Sequence, residues 1–450
     1  MFLPNIKILS MKSNIKQKTT KSVTGTESLV RLKKKGGITA YEMQGNGMRV
    51  LYMHRPHTGV VTSNILYKVG SRDEECGETG VAHMLEHMLF KPTKQDLKKK
   101  IDSGAMHFER EMGIVLNANT WKDRTTYYFS YPKEHFVRAL KIEAERMRDV
   151  VLSDAEFLPE RTNVLSEFDM YAGDEEFALS VQMAGAAFQS HPYGHETIGY
   201  REDIEGYTTE MLDAFYKKYY APNNATLIIV GDVDEKTMCE AVVKIFGHIK
   251  PSTTITPRKH IREPKQEGVR TVVIERPSTT NMLAIGVRHE GFPSTAWYES
   301  MVALNVLAGG KDSILYKTLV DTSIASSVHI SMEPTSDANL GILFIMLAPE
   351  VTHDDVYARV RACIDGLTVR DITPYLKKII AQSLTSEYMS RENSLGIVAE
   401  LVEYESAGAW ESYADTEAIL SAITAKDIQK RIQAMFAEQG ITLGKYIGKK

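Results

Sequence analysis

The sequence predicts an α+β protein made of two tandem homologous α/β domains, each a mostly antiparallel sheet packed with helices. Three observations point there. Alternating strand-like segments and amphipathic helical segments succeed one another between residues 38 and 249. Residues 250–268, KPSTTITPRKHIREPKQEG, have no periodicity and are rich in Pro, Thr and charge, which marks a linker. Beyond the linker the same order of elements begins again, and ILYKVGSRDE of the first part is echoed by LAIGVRHEGF of the second. A chain of 450 residues also exceeds what one ordinary core holds.

Residues 1–36 carry nine Lys/Arg and one acid, Glu27, and lack the apolar stretch of roughly 7–15 residues that a secretory signal needs. They read as a basic, flexible tail. Its Lys-rich composition leaves the compartment between the cytoplasm, which is favoured, and the mitochondrial matrix. The catalytic candidate domain then spans residues 37–249. ITAYEM and MRVLYM flank QGNG, whose Asn46-Gly47 is a hairpin signal, and VVTSNILYKV is a third strand. GVAHMLEHMLFKP predicts a helix from near Thr79 that ends before Pro92. IVLNANTW and TTYYFSYP are strands separated by a polar turn at Lys122–Arg124. KEHFVRALKIEAERMRDVV is an amphipathic helix, and Pro159 is placed in the first turn of the next, PERTNVLSEFDMYA. After the irregular HPYGHETIGYREDI come a helix (TTEMLDAFYKKYY), a strand (ATLIIVGDV) and a helix (EKTMCEAVVKIFGHI). In the second domain, residues 269–450, strands TVVIE and MLAIGVR, helix AWYESMVALNVLAG, strands ASSVHISMEP and LGILFIMLAP and then long helices follow.

Composition narrows the function. Hydrophobic content of 43% and charged content of 25% are those of a globular protein, and no apolar run approaches the ~20 residues of a membrane span. A net charge of −4 and the lack of a Gly-rich phosphate loop speak against a nucleic-acid or nucleotide binder. Cys76, Cys239 and Cys363 are too few and too scattered for a disulfide framework or a Cys-ligated zinc. Because the tail contributes +8 to the total of −4, the remainder carries −12, a balance that attracts basic peptides.

One helix concentrates chemistry. His83, Glu86 and His87 lie within five residues on a segment otherwise made of Val, Ala, Met, Leu and Phe. Buried unpaired, such groups cost free energy. His83 and His87 are four apart, so both imidazoles can aim at one point, with Glu86 at the edge of that face. Catalytic zinc takes neutral imidazole nitrogens at about 2.0–2.1 Å, three protein ligands and a water. A third ligand must therefore come from elsewhere. Glu160 and Glu167, seven apart, share a face of PERTNVLSEFDM; either completes the set and the other orients a histidine. The plain alternative is two core histidines beside a solvated acidic face.

H-x-x-E-H is the inverted zincin motif. VGSRDEECGETGVAHMLEHMLFK, NANTWKDRTTYYF, PERTNVLSEF and HPYGHETIGYREDI together resemble the signature segments of the pitrilysin/insulinase-type zinc peptidases. Within that group the chain resembles the half-length members related to the mitochondrial processing peptidase and its bacterial homologues. The resemblance covers residues 37–250 well and the rest by general pattern. It implies a zinc metalloendopeptidase with one Zn2+ per chain on His83, His87 and Glu167, Glu160 in support, and a zinc-activated water with Glu86 as general base. It also implies that an extended peptide lies as an added strand along Asn117, Ala118, Asn119 and Thr120, with Phe90 lining a side-chain pocket. Glu167 lies 80 residues beyond His87, a few more than the family usually shows, so Glu160 stays a second choice as ligand.

The second domain departs from the family pattern. There an Arg and, seven residues on, a Tyr hold the substrate and the developing oxyanion. The matching stretch, LVDTSIASSVHI, has Val320 in the Arg position and Ser326 or Ser327, depending on register, in the Tyr position. The Gly309-Gly310 turn is retained, and the stretch ALNVLAGG that matches the motif helix carries neither His nor Glu. The resemblance therefore implies a homologous partner subunit that supplies the missing pair. A homodimer or monomer of weakened activity, and a non-catalytic peptide-binding or structural subunit, are the alternatives.

Overall fold

Two sheets, one per half, carry the fold of the computed structural model, which describes residues 28–101, 103–258 and 261–449. The first half begins with strands β1 (Leu29–Lys35), β2 (Ile38–Met43), β3 (Arg49–His54) and β4 (Val60–Tyr67). Helices α1 (Val81–Met88), α2 (Lys94–Lys98) and α3 (Gly104–Met112) and strands β5 (Val115–Thr120) and β6 (Thr125–Pro132) follow. Next come α4 (Phe136–Asp149), α5 (Asp154–Ala172), α6 (Glu175–Ala187), α7 (Arg201–Gly206) and α8 (Thr209–Tyr219), then β7 (Ala225–Gly231) and α9 (Glu235–Phe246). The second half runs β8 (Arg270–Pro277), β9 (Asn281–His289), α10 (Thr295–Ala308), β10 (Ala325–Ser331) and β11 (Asn339–Leu347). It ends with α11 (His353–Asp365), α12 (Val369–Ser390), α13 (Ser394–Ser406), α14 (Thr416–Ala422), α15 (Ala425–Met435) and β12 (Thr442–Lys449).

The sheet orders are β1-β2-β3-β7-β4-β6-β5 and β10-β11-β9-β12-β8. Five strands of the first sheet, β3-β7-β4-β6-β5, thus repeat as β8-β12-β9-β11-β10. In both, the last strand of the half inserts between the first two of the repeat, parallel to one (β3, β8) and antiparallel to the other (β4, β9). This is the tandem homologous α+β architecture that the sequence predicts. The central β7 is buried at all seven residues, which explains its unbroken apolar run ATLIIVG. Leu227 and Ile229 face the first half's own helices, whereas Ile228 and Val230 join the core of the second half.

Three differences from the sequence reading have physical causes. Leu29–Lys35, assigned to the tail of residues 1–36, is an edge strand paired with β2. Lysines are common on edge strands, where they discourage further pairing; here Lys33 and Lys35 also pair with Glu411 and Asp415 of the second half, each at 2.5 Å. The rest of the tail reading falls on residues 1–27, outside the described residues. Pro159 lies inside α5, which starts a turn earlier at Asp154, so the helix tolerates the lost amide donor at its sixth residue. The C-terminal β12 escaped notice because Gly444 interrupts its apolar pattern. A Cβ there would stand 2.5 Å from Met183 Sδ and 2.8 Å from Leu179 Cγ of α6, so glycine lets that helix pack closely on the strand.

The halves exchange helices. Leu179 and Met183 of α6, from the first half, pack on Met282, Ala284 and Phe344 of the second sheet. In return α13 lies across β4 and β7. Its Glu405, wholly buried, takes Arg49 (3.0 Å), Lys68 (2.9 Å) and the Thr226 hydroxyl (2.9 Å). A second buried network joins Arg72 to Asp123 and to Asp337, both at 2.7 Å, while Asp123 also accepts from Tyr193 (2.8 Å) and the Ser336 amide (2.7 Å). Removing one member of such a buried pair strands the other charge. Asp123→Ala is therefore expected to cost about 3–5 kcal/mol, read from the shift of the denaturant unfolding midpoint. A loss below about 1 kcal/mol, the scale of an exposed pair, would show that the network does not hold the halves.

Candidate metal centre

Helix α1 is fixed by its apolar side. Ala82, Met84, Leu85 and Met88 are fully buried, against α5, α8 and strands β5 and β6. That orientation turns His83 and His87 towards a cavity, with ring centroids 4.8 Å apart. Helix α5 brings Glu167 to them: His83 Nε2 is 3.8 Å from its Oε1, and His87 Nε2 is 3.5 Å from its Oε2. The ligand atoms of His83, His87 and Glu167 all lie within 4.8 Å of one another. Ligands at about 2.1 Å in a tetrahedron stand roughly 3.4 Å apart, so a small closing motion makes these three a zinc-sized set. Nδ1 of His83 is buried with no hydrogen-bond partner among the described residues, while Nε2 is the nitrogen that faces Glu167.

Glu160 lies on the other side of His87, 2.9 Å from Nδ1, and is itself paired with Lys91 at 2.6 Å. It lies outside the three-atom cluster of His83, His87 and Glu167. Burial and the neighbouring His87 pull His83 down to about 4, so that ring is neutral at neutral pH. Burial also opposes protonation of His87, but the hydrogen bonds that its ring donates to the Glu160 and Glu167 carboxylates outweigh it and hold that ring up at about 9. The bond to His87 is the main reason that Glu160 is pulled down to about 2. Burial pushes Glu86 up from the usual carboxylate range, and a 2.6 Å hydrogen bond from the Thr120 hydroxyl to its Oε2 partly offsets that.

The centre forms one wall of a cavity of about 790 Å³, which Phe90, Asn117, Ala118, Asn119 and Thr120 also line. β5 is the last strand of its sheet and pairs only with β6 among the described strands, so its outer edge is open. The candidate substrate residues have protein partners: Thr120 holds Glu86, and Asn119 Oδ1 accepts from Arg124, which is itself paired with Glu403 of α13. Asn117 Oδ1 accepts from the Ala118 amide at 2.8 Å. Val320 packs against the second half's core, Ser326 is exposed, and neither they nor Ser327 line this cavity.

The sequence reading missed Lys91, Trp121 and Tyr171 on the cavity wall. Tyr171 bonds Glu167, and Lys91 pairs with Glu160. Tyr171 was within reach of the sequence, since it stands four residues beyond Glu167 on the same helix. The pairing of Arg124 with Glu403 was not, because the two are 279 residues apart in the chain.

Comparison with known proteins gives a consistent result. Residues 49–201 match the family model described as Insulinase (Peptidase family M16), and residues 206–392 match the one described as Peptidase M16 inactive domain. The zinc protease PqqE of Helicobacter pylori is 31% identical over 365 residues, covering 79% of this chain and 80% of that protein. A solved protease structure from Helicobacter pylori superposes with a TM-score of 0.83 at 25% identity, covering 94% of this chain and 100% of the other. The periplasmic protease PqqL of Escherichia coli shares the fold, with a TM-score of 0.75 at 17% identity; the match covers 93% of this chain and 48% of that one.

A cation at His87 Nε2 must displace a proton wherever the pH lies below about 9. Zinc affinity is therefore expected to rise with pH up to that value, with release of about one proton per ion near pH 7, measurable by calorimetry in buffers of different ionisation enthalpy. Glu160→Ala is expected to lower that proton count and to weaken zinc binding by about 10–100-fold.

Proposed function

The chain belongs to peptidase family M16, and from that premise we propose that it is a zinc metalloendopeptidase subunit that hydrolyses extended or unfolded peptide segments. One observation carries the reading: His83, His87 and Glu167 converge beside Glu86 at the open edge of β5. The donor set, two imidazoles and a carboxylate, suits zinc rather than magnesium or calcium, which prefer oxygen ligands. Bound there, zinc supplies Lewis acidity that polarises a peptide carbonyl and makes water a competent nucleophile near neutral pH.

The chain's own groups do the rest. Glu86, raised by burial and held at Oε2 by Thr120, takes the proton of the attacking water at Oε1 and returns it to the leaving amine. Glu160 keeps the His87 ring in place through Nδ1. The edge of β5 offers amides and carbonyls to an extended peptide, and Phe90 offers an apolar wall. Glu109 and Glu156 on the same wall favour substrates with basic residues.

The second half offers neither an Arg at Val320 nor a Tyr at Ser326 or Ser327. A homologous partner subunit that brings both groups completes the site. The same departure supports the second reading, a peptide-binding or structural subunit without turnover.

Zinc-loaded chain, alone and with a co-purified homologue, is to be assayed on a quenched extended peptide. Glu86→Gln is expected to keep its zinc and to lose about 10²–10⁴-fold in rate. Equal cleavage by the variant would remove Glu86 as the base. A chain that cleaves as fast alone as with its homologue would end the partner proposal, and a zinc-bound chain that cleaves in neither state would favour the structural subunit.

A further inference from the structure

Helix α1 starts on a residue that cannot cap it. Its N-cap is Gly80, in the left-handed region at φ 90° and without a side-chain cap. Glycine is required there: a Cβ would come within 2.3 Å of the Ile198 carbonyl oxygen and 2.7 Å of the Tyr207 hydroxyl. The first amides of a helix need acceptors, and a glycine N-cap offers none. Here the acceptor is Glu74, six residues upstream. Its Oε2 takes the Gly80 amide at 2.8 Å and its Oε1 takes the Ala82 amide at 2.9 Å. The carboxylate is completely buried, and His195 Nε2–H donates to Oε2 at 3.1 Å. A buried anion at this end of the helix is also favoured by the helix dipole.

His195 belongs to HPYGHETIGYREDI, a segment that contributes no residue to the metal centre or its cavity wall. The continuation of that segment grips the preceding residue. Asp203 accepts from the Thr79 amide (3.1 Å) and hydroxyl (2.5 Å), and the Tyr200 amide donates to Thr79 Oγ1 at 3.0 Å. His83 follows at the third residue of α1, and His87 one turn later. Any slip of the first turn displaces both imidazoles relative to Glu167, which stands on a different helix.

Resting on the zinc-peptidase reading above, we propose that Glu74, braced by His195, is a positioning residue: it substitutes for the missing cap of α1 and so sets where His83 and His87 present their nitrogens. It touches neither the metal nor the substrate. Its effect is on the geometry of the ligand set.

The test uses the full chain as wild type, Glu74→Ala, Glu74→Gln and His195→Gln, with Val356→Ala, a fully buried position in the second half, as a general destabiliser. Hydrogen exchange of residues 80–88 is measured without metal, and zinc affinity by chelator competition. Glu74→Ala is expected to speed exchange across this segment and to weaken zinc about tenfold. Glu74→Gln, which keeps one acceptor oxygen, is expected to recover part of both, and Val356→Ala to lower the melting temperature while leaving both unchanged. The proposal is overturned if Glu74→Ala stays within about twofold of wild type in both readouts, well short of what supporting residues contribute, or if Val356→Ala reproduces its losses. Should the alanine variant fail to fold, Glu74→Gln and His195→Gln decide by the same limits. Peptide cleavage is not a readout, so failure of the peptidase reading and failure of this proposal are separate results.

Discussion

The proposed metal centre depends on how α1, a helix of eight residues and little more than two turns, is held. Isolated helices of that length do not persist in water. This one exists because Ala82, Met84, Leu85 and Met88 are locked beneath α5 and α8. Its solvent side then has nowhere else to point, and the two imidazoles meet a carboxylate from α5. Apolar packing fixes the helix, and the fixed helix in turn makes a convergent polar cluster affordable.

The carboxylates around α1 differ in their environments. Glu167 lies nearest both Nε2 atoms, Glu160 engages Nδ1 of His87, and Glu86 is buried enough to be raised while Thr120 restrains it. Four neighbouring acids including Glu74 would repel one another in a featureless pocket. Each instead has a specific donor, from Lys91, His195, Thr120 or Tyr171, and those donors separate their roles.

The second half shares the topology of the first but not its chemistry. Its helix after the second strand, α10, is buried along most of its length and fills a core. What the second half contributes is support: α13 covers the back of the first sheet, Glu405 pairs with Arg49 and Lys68, and Glu403 pairs with Arg124 beside β5. With α6 returning the exchange, neither sheet can be stripped without exposing the other's core.

Local pattern determined a great deal. The strand and helix order, the two-fold repeat of that order and the H-x-x-E-H cluster follow from periodicities that any single segment displays, because a helix face and a strand face are properties of a few consecutive residues. The same spacing nominated both Glu160 and Glu167, since both lie on one face of α5, and could go no further. Only the tertiary structure separated them, by bringing Glu167 to the Nε2 side of the histidines and Glu160 to Nδ1. It also decided that Leu29–Lys35 is an edge strand, that β12 fills the middle of a sheet, and that Glu74 and His195 serve the start of α1. Each of these depends on partners between 3 and 172 residues away in the chain. Distance in the chain carries no information about which groups packing will bring within hydrogen-bond reach, so those decisions belong to the fold alone.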